Sequence, residues 1–260
     1  MNITRLSHGT VSWREHGQGE PLLILHGWGV DSSVMVPLMN RLGSLRRCIA
    51  LDFPGFGESP PPPTAWGVDD YAAMVREFMS AIGLERCDIL AHSFGGRITL
   101  ALLASDPTGT AFSKILITGG AGMKPRRTWK FYYRRSLASL LKAPTYLLPT
   151  SLRAGALDRI RRTKAWKSLG SSDYQKLQGT MRETFVKTVN HFQEPLLPSI
   201  KHSILLLWGA DDPATPLYQA QRLEQGLTNA ALVTIDRAGH YAFLDQPVQF
   251  GAIAEAFFKS

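Results

Sequence analysis

Cysteine is scarce in this chain, where Cys48 and Cys87 are the only two among 260 residues. Two cysteines provide neither a disulfide framework nor a cysteine-rich metal site. Long apolar runs are also missing, since the longest, around LLIL and ILLLW, are far too short to span a bilayer. The first residues, MNITRLSHGTVSW, lack the apolar core of a signal peptide. We therefore expect a cytoplasmic protein with reduced thiols and no transmembrane segment.

Acidic residues are nearly absent from one stretch of the chain. Between Lys124 and Lys167 there are thirteen lysines or arginines and a single acidic residue, Asp158. The net charge of that stretch is +12. Because the whole chain has a net charge of +8, the remaining residues sum to −4. The basic charge is thus local, and no nucleic-acid recognition motif accompanies it. We expect no nucleic-acid partner.

Short continuous apolar runs recur along the chain, and such runs are typical of strands buried on both faces of a parallel sheet. These runs are PLLILHG, RRCIALD, ERCDILAH, KILIT, SILLLWG and ALVTID. Near the start, TVSWRE alternates apolar and polar residues, and the turn-forming HGQGE separates it from PLLILHG. This order predicts a hairpin between TVSWRE and PLLILHG.

Helical patterns separate most of these runs. Apolar residues recur on one face of DSSVMVPLMNRLG, VDDYAAMVREFMSAIG and PVQFGAIAEAFFKS, and FGGRITLALLASDP stops before Pro107. Strands that alternate with helices predict an α/β fold, with a mostly parallel central sheet flanked by helices.

The alternation breaks between about residues 120 and 200, where the patterns are helical and no strand pattern is convincing. We therefore divide the chain into a core of residues 1–119 and 201–260 and an all-helical insertion of residues 120–200. Five aromatic residues interleave the basic ones, and we expect them to pack the insertion on the core: Trp129, Phe131, Tyr132, Tyr133 and Trp166.

Chemically suggestive residues follow four separate strands. HGWG (26–29), AHSFGG (91–96), GADD (209–212) and AGHYAF (238–243) each come directly after an apolar run. In an open α/β sheet, ligands bind outside the carboxyl ends of the strands. We therefore expect these four loops to meet at one edge of the sheet.

The motifs together resemble those of a capped member of the α/β-hydrolase superfamily, and the resemblance covers essentially the whole chain. HGWG resembles the family's oxyanion loop, DFPGFGES (52–59) its D-x-P-G-x-G-x-S segment and AHSFGG its nucleophile elbow. WGADDPATP resembles the acid loop, and AGH the histidine loop. The insertion lies where these enzymes carry a helical cap. One departure is Ala91, which replaces the first glycine of G-x-S-x-G.

The resemblance implies a catalytic triad of Ser93, His240 and Asp212. A serine hydroxyl is a poor nucleophile until a neighbouring base removes its proton, and a carboxylate holds that base in the correct tautomer. The backbone N–H groups of Trp28 and Phe94 are the implied oxyanion donors. No metal and no cofactor are implied.

Other assignments are less well supported by the residues. Ser93 alone would also suit a helix N-cap. Asp52 is expected to cap or brace the loop that follows it. The D-x-x-x-P spacing to Pro216 selects Asp212, so Asp211 is expected to face solvent or to act as a helper. His26 and His92 are expected to bond nearby loops. A metal site built from His26, His92 and His240 lacks ligand pairs at helical spacing.

The predicted function is a serine hydrolase that forms an acyl-enzyme, acting on small carboxylic esters. The same triad supports hydrolysis of C–C bonds in diketones, of lactones and amides, and perhydrolysis; the fold does not separate these reactions. A ligand-binding signalling protein on the same fold is the alternative of another class. We hypothesise that the basic stretch from Lys124 to Lys167 favours substrates that carry an acidic group or docks the protein on an anionic surface. The alternative is a solvated helical face that keeps the segment soluble.

Overall fold

The computed structural model describes residues 1–106, 108–126, 129–163 and 177–259. These residues form one eight-stranded sheet with the strand order β1-β2-β4-β3-β5-β6-β7-β8. The strands are β1 (Asn2–Leu6), β2 (Gly9–His16), β3 (Pro21–Leu25), β4 (Arg47–Leu51), β5 (Cys87–His92), β6 (Phe112–Thr118), β7 (Ser203–Gly209) and β8 (Ala230–Ile235). From β4 to β8, every neighbouring pair is parallel. The predicted α/β class is confirmed.

The predicted hairpin between TVSWRE and PLLILHG is wrong. β2 pairs antiparallel with β1 and with β4, while β3 pairs with β4 and β5 in the parallel direction. The hairpin partner of β2 is β1, whose residues gave no strand prediction. Local turn residues identified the reversal near 17–20, but which strands pair depends on the whole sheet, where β4 lies between β2 and β3.

Helices cover both faces of the sheet. They are α1 (Val36–Leu42), α2 (Val68–Ala81), α3 (Phe94–Ala104), α4 (Trp129–Lys142), α5 (Thr150–Arg162), α6 (Gly179–Val189), α7 (Leu217–Gly226), α8 (Ala242–Asp245) and α9 (Pro247–Lys259). Short 3-10 helices span Ser32–Met35, Ala143–Leu147 and Glu194–Ser199. At the start of α2, Asp70 Oδ2 accepts a hydrogen bond from the Gly67 N–H at 2.7 Å. The bond satisfies one of the backbone donors that have no partner within the helix.

The core consists of two apolar layers, one on each face of the sheet. Because side chains alternate along a strand, Leu23 and Leu25 of β3 join the layer beneath α2 and α3. Leu22 and Ile24 join the layer beneath α1 and α9. Continuous apolar runs therefore do form strands buried on both faces in the middle of the sheet.

β8 departs from that rule. It lies at the sheet edge, and of its six residues only Ile235 is buried. The run ALVTID was thus correctly predicted as a strand but wrongly predicted as buried on both faces. Hydrophobicity alone does not distinguish an edge strand from a central one.

Between β6 and β7, the described part of the chain consists of helices α4, α5 and α6 and two of the 3-10 helices. The expectation that the aromatic residues pack on the core is wrong for Trp129 and Tyr133, which are 72% and 63% exposed. The side chains of Phe131 and Tyr132, and the whole of Trp166, lie outside the description. Among the described residues, no helix has the length and apolar character that crossing a membrane requires.

Candidate active site

Ser93 lies in the sharp turn between β5 and α3. Its φ of 52° and ψ of −106° are unusual for a residue with a side chain, and Arg237 is the only other non-glycine residue with positive φ in the described ranges. The Ser93 N–H donates to the Thr118 carbonyl at 3.0 Å, and its own carbonyl accepts from the Ala121 N–H at 3.0 Å. These bonds to the end of β6 hold the strained turn in place.

The turn also requires close approach of α3 to the sheet. A Cβ atom on Gly95 would overlap the carbonyl of Leu25, lying 2.7 Å from its carbon. Ala91, the departure from the family pattern, is fully buried in β5 and pairs with Leu25 and Ile117 of the adjacent strands. The turn therefore forms with alanine at residue 91, whereas a side chain at Gly95 would clash with β3.

Ser93, His240 and Asp212 are connected by hydrogen bonds. Ser93 Oγ lies 3.0 Å from His240 Nε2, and His240 Nδ1 lies 2.8 Å from Asp212 Oδ2. The three residues come from the ends of β5, β8 and β7, as the sequence pattern predicted. This geometry allows His240 to accept the serine proton while Asp212 orients the ring.

Asp212 is buried and fully hydrogen-bonded. Its Oδ1 accepts the N–H groups of Ala214 and Thr215 at 2.8 and 2.9 Å, and its Oδ2 accepts the Thr215 hydroxyl at 2.7 Å. Burial alone would raise the pKa of Asp212, but the hydrogen bonds from His240 and Thr215 and the charge of the imidazole hold this pKa below its usual value. Asp211 is exposed, as predicted.

Asp52 braces the loop that follows β4, as predicted. Its Oδ1 accepts the Ser32 N–H at 2.8 Å and its Oδ2 accepts the Glu58 N–H at 3.1 Å. Gly57, with φ of 54°, leaves room for this carboxylate, because a Cβ atom there would lie 2.5 Å from Asp52 Cγ. Asp52 makes no hydrogen bond to His240 among the described contacts.

His26 and His92 are buried and form hydrogen bonds with the loops around the site. His26 Nδ1 donates to the Gly27 carbonyl at 2.7 Å, and its Nε2 accepts the Phe53 N–H at 3.0 Å. Burial lowers the pKa of His26 below its usual value. His92 Nε2 donates to the His240 carbonyl at 3.0 Å, and burial and the neighbouring His240 lower the pKa of His92 to about 3. Both rings are therefore neutral and act through neutral hydrogen bonds.

A cavity of about 450 Å³ opens beside Ser93 and His240. Trp28 and Phe94 line it, and neither backbone N–H donates a hydrogen bond to another residue that the structure describes. Phe185, Thr188 and Val189 of α6 also line it. The size suits a small organic molecule.

No group of three His, Cys, Asp or Glu residues capable of holding a metal ion occurs in the described ranges, and His26, His92 and His240 form no such group. Cys48 and Cys87 are buried near the starts of β4 and β5, away from the site.

Two residues of the site escaped sequence reasoning. Thr215 bonds Asp212 through both its N–H and its hydroxyl, and Arg97 lines the cavity from α3. For Thr215 the signal was the A-T-P that follows GADD, because a hydroxyl residue three positions after an aspartate can bond its carboxylate. For Arg97 it was a basic residue one helical turn after the candidate nucleophile, in an otherwise apolar helix.

A family model described as the alpha/beta hydrolase fold matches residues 20–247. The chain belongs to the α/β-hydrolase fold family. Its site loops, from HGWG to AGHYAF, all fall within the matched range.

The hydrolases that this chain resembles carry the names of different reactions. The chain is 26% identical over 241 residues to 2-hydroxy-6-oxo-2,4-heptadienoate hydrolase of Pseudomonas putida, with 88% of this chain and 86% of that protein covered. It is 26% identical over 264 residues to pimeloyl-[acyl-carrier protein] methyl ester esterase of Aeromonas hydrophila, with 95% and 99% covered. The fold also matches the enol-lactonase from Burkholderia xenovorans, with a TM-score of 0.73, 18% identity and both chains fully covered. Membership of this α/β-hydrolase fold family assigns the chain to the hydrolases.

Proposed function

We propose that this α/β hydrolase is a serine esterase that cleaves small carboxylic esters through an acyl-enzyme. The observation that carries the proposal is the pair of hydrogen bonds from Ser93 Oγ to His240 Nε2, at 3.0 Å, and from His240 Nδ1 to Asp212 Oδ2, at 2.8 Å. These two hydrogen bonds, here called the relay, activate a serine in the way that acyl transfer needs.

In the first step, Ser93 Oγ attacks the ester carbonyl carbon while His240 Nε2 takes the hydroxyl proton. The tetrahedral intermediate then expels the alkoxide, which receives that proton and leaves as an alcohol. Water next attacks the acyl-enzyme, with His240 again taking a proton, and the carboxylic acid departs as Ser93 regains its proton.

Two features support stabilisation of the charges that develop. The amides of Trp28 and Phe94 border the cavity and have no described acceptor, which leaves both available to the oxyanion. Asp212, kept ionised by its hydrogen bonds, stabilises the imidazolium that forms on His240.

Residues 120–200 act as a cap over this site in the same proposal. Phe185, Thr188 and Val189 of α6 line the same cavity as Ser93. The Thr184 hydroxyl accepts the Trp66 N–H at 3.0 Å and ties α6 to the core. Side chains of this segment therefore shape the acyl or alcohol subsite.

Hydrolysis of a C–C bond is the second candidate reaction, favoured by the similarity to the Pseudomonas putida heptadienoate hydrolase. The same nucleophile and base serve both reactions, so the geometry of the relay does not separate them. A non-catalytic binding protein has no physical need for all three groups of the relay and is the alternative of another class.

The test combines active-site labelling with a substrate screen. A fluorophosphonate probe should label the protein, and Ser93→Ala should abolish labelling without changing the thermal unfolding curve. The protein should hydrolyse p-nitrophenyl esters of graded chain length faster than a vinylogous diketone. The opposite preference would favour C–C hydrolysis, and tight ligand binding without turnover would favour a binding protein. Labelling that persists in Ser93→Ala would overturn the proposed nucleophile.

A further inference from the structure

Arg97 is a buried cation in the wall of the candidate active site. It lies on α3 one turn after Ser93, is 7% exposed and lines the cavity. Four residues of helix advance about 6 Å, which sets Arg97 within reach of a small substrate bound at Ser93. The other lining residues are uncharged, apart from His240, which charges only on protonation.

The charge of Arg97 has no ion-pair partner among the described residues. Its Nη1 donates to the carbonyls of Thr188 and His191, the latter at 2.6 Å. Burial lowers the pKa of Arg97 to about 10, partly offset by the charge of Glu194, so the guanidinium remains charged at neutral pH. A buried charge without a counter-ion is costly, and a bound anion would remove much of that cost.

Part of the guanidinium is available to such an anion. Nε and Nη2 donate to no other described residue, and neither atom is sealed from solvent. We propose that Arg97 binds a carboxylate of the substrate, so that the site takes esters that carry a second, anionic carboxylate a few carbons from the scissile carbonyl. This inference rests on the proposed function, because it assigns a substrate class to the same cavity.

A purely structural role for Arg97 is the competing explanation. Its bonds to Thr188 and His191 hold the C-terminal end of α6 against α3, where a cation also interacts favourably with the helix dipole. A tether alone would affect neutral and anionic substrates equally, whereas carboxylate binding would affect only the anionic ones.

The experiment compares monomethyl with dimethyl esters of the three- to six-carbon dicarboxylic acids, by kcat/KM in the native enzyme and by calorimetric binding to Ser93→Ala. We expect at least one monoester to be preferred to its neutral diester. Arg97→Met should lower kcat/KM for that monoester by about tenfold or more, as for loss of a charged hydrogen bond, with little change for the diester. Arg97→Lys should retain part of the preference, because it keeps the charge but not the fork of donors.

Lys187→Met is the matched control. Lys187 lies on the same helix and its Nζ donates to the Ala65 carbonyl at 2.6 Å, so this change removes a cation and a tether outside the cavity. It should leave the monoester preference intact. Equal losses for both ester types in Arg97→Met, or no preference in any chain length, would overturn the inference. Monoester binding to Ser93→Ala by a protein that hydrolyses no ester would keep the carboxylate subsite and reject the esterase.

A second inference comes from α4, whose apolar side chains include a row that faces solvent. Trp129, Tyr133, Leu137 and Leu140 follow one another at intervals of four, four and three residues, and all four are exposed. Residues at this spacing share one face of a helix. The row is thus an apolar stripe, here called the α4 stripe, on the outside of the proposed cap.

The positive charge of the sequence around the α4 stripe favours an anionic partner surface. Lys130, Arg134 and Arg135 are interleaved with it in sequence, within the stretch that carries +12. A second copy of the chain would bring two such stretches together, which like-charge repulsion disfavours. Aromatic and aliphatic residues on one face of a helix rich in lysine and arginine are typical of helices that lie in the interface of an acidic membrane.

We infer that the α4 stripe docks the protein on anionic lipid surfaces. The apolar side chains would enter the headgroup region, and the net charge of the basic stretch would attract the protein to acidic lipids. The basic stretch alone would give only salt-sensitive adsorption, whereas the stripe adds buried apolar area.

Sedimentation with lipid vesicles tests this inference. Native protein should bind vesicles of two parts phosphatidylcholine to one part phosphatidylglycerol and should bind pure phosphatidylcholine weakly. Trp129→Ser combined with Leu140→Ser should reduce binding to the acidic vesicles by about tenfold, since each side chain buries a large apolar area. Val248→Ser removes an equally exposed apolar side chain from α9 and should have no effect.

Three results would contradict the lipid surface. The first is native protein that stays unbound in the presence of acidic vesicles. The second is a double variant that binds as well as native protein, which would reduce the contact to charge alone. The third is a native oligomer, seen by light scattering, that dissociates in the double variant, which would make the stripe a contact between copies of this chain.

Discussion

The candidate active site and the helical segment of residues 120–200 differ in which side chains they bury. In the site, the polar side chains of Asp52, His26 and Asp212 are buried and hydrogen-bonded to backbone groups of neighbouring loops. In α4 and α5, the apolar side chains of Trp129 and Leu152 are exposed. One region buries its polar groups and the other exposes apolar ones.

The difference indicates where chemistry and specificity reside. The site is fixed by strained backbone and close approach, as at Ser93 and Gly95, which leaves little freedom for change. Among its described residues, the segment of residues 120–200 contributes mainly one helix, α6, to the cavity. Binding surfaces carried by a rigid scaffold can vary without disturbing it. We therefore expect substitutions in the site to abolish activity and those in the segment to shift preference.

The largest expected effect comes from Asp212→Asn. The amide keeps the shape of the carboxylate but stabilises the wrong tautomer of His240, a change that lowers kcat by about 10⁴ in serine proteases. We expect a loss of similar size in steady-state ester hydrolysis. Asp211→Asn, on the exposed neighbour, should retain nearly full activity. If the two variants ranked in the opposite order, Asp212 would not be the residue that orients His240.

The arrangement of Ser93, Asp212 and His240 was predictable because each follows a strand of the parallel part of the sheet. Parallel strands bring their carboxyl ends to one edge, so four loops far apart in sequence meet without any knowledge of side-chain packing. The spacing from Asp212 to Pro216 also separated Asp212 from Asp211, which is exposed.

Features that depend on long-range packing were not predictable. The pairing of β2 with β4 and the edge position of β8 follow from the order of all eight strands. The outward position of Trp129 on α4 depends on which face of that helix meets the core, and periodicity does not specify this. The role of Arg97 was not predictable, because the carbonyls that it bonds belong to Thr188 and His191, almost a hundred residues away in sequence.

Gly95→Ala should be strongly destabilising. The added Cβ would overlap the Leu25 carbonyl, and since that oxygen belongs to the backbone of β3, the contact cannot be relieved by a rotamer change. We expect a loss of about 1–3 kcal/mol in the free energy of unfolding, as for overpacking in a core. Urea denaturation measures it. A stability equal to that of the native chain would mean that α3 and β3 lie farther apart than in this structure.

The basic stretch should affect the rate of encounter with charged substrates. Its field would raise the local concentration of anionic esters, by about tenfold in kcat/KM at low salt. Raising the salt concentration from about 0.01 to 1 M shortens the screening length from about 30 to 3 Å and should remove this advantage. A neutral ester of the same length should show little change. Equal salt responses of the two esters would leave the charge without a role in steering.

The smallest expected effect comes from a second glycine-to-alanine substitution, made in the helical segment. It should raise stability, whereas Gly95→Ala should lower it. Gly155 lies inside α5, and no atom comes within 4 Å of where its Cβ would be. Gly155→Ala should therefore raise helix stability by about 0.5–1 kcal/mol, because alanine restricts the unfolded backbone and meets no clash. Slower amide hydrogen exchange in α5 would report the gain locally even if the global unfolding transition did not move. Faster exchange would mean that Gly155 packs against a neighbour, and the contrast between a crowded core glycine and an open one in the helical segment would fail.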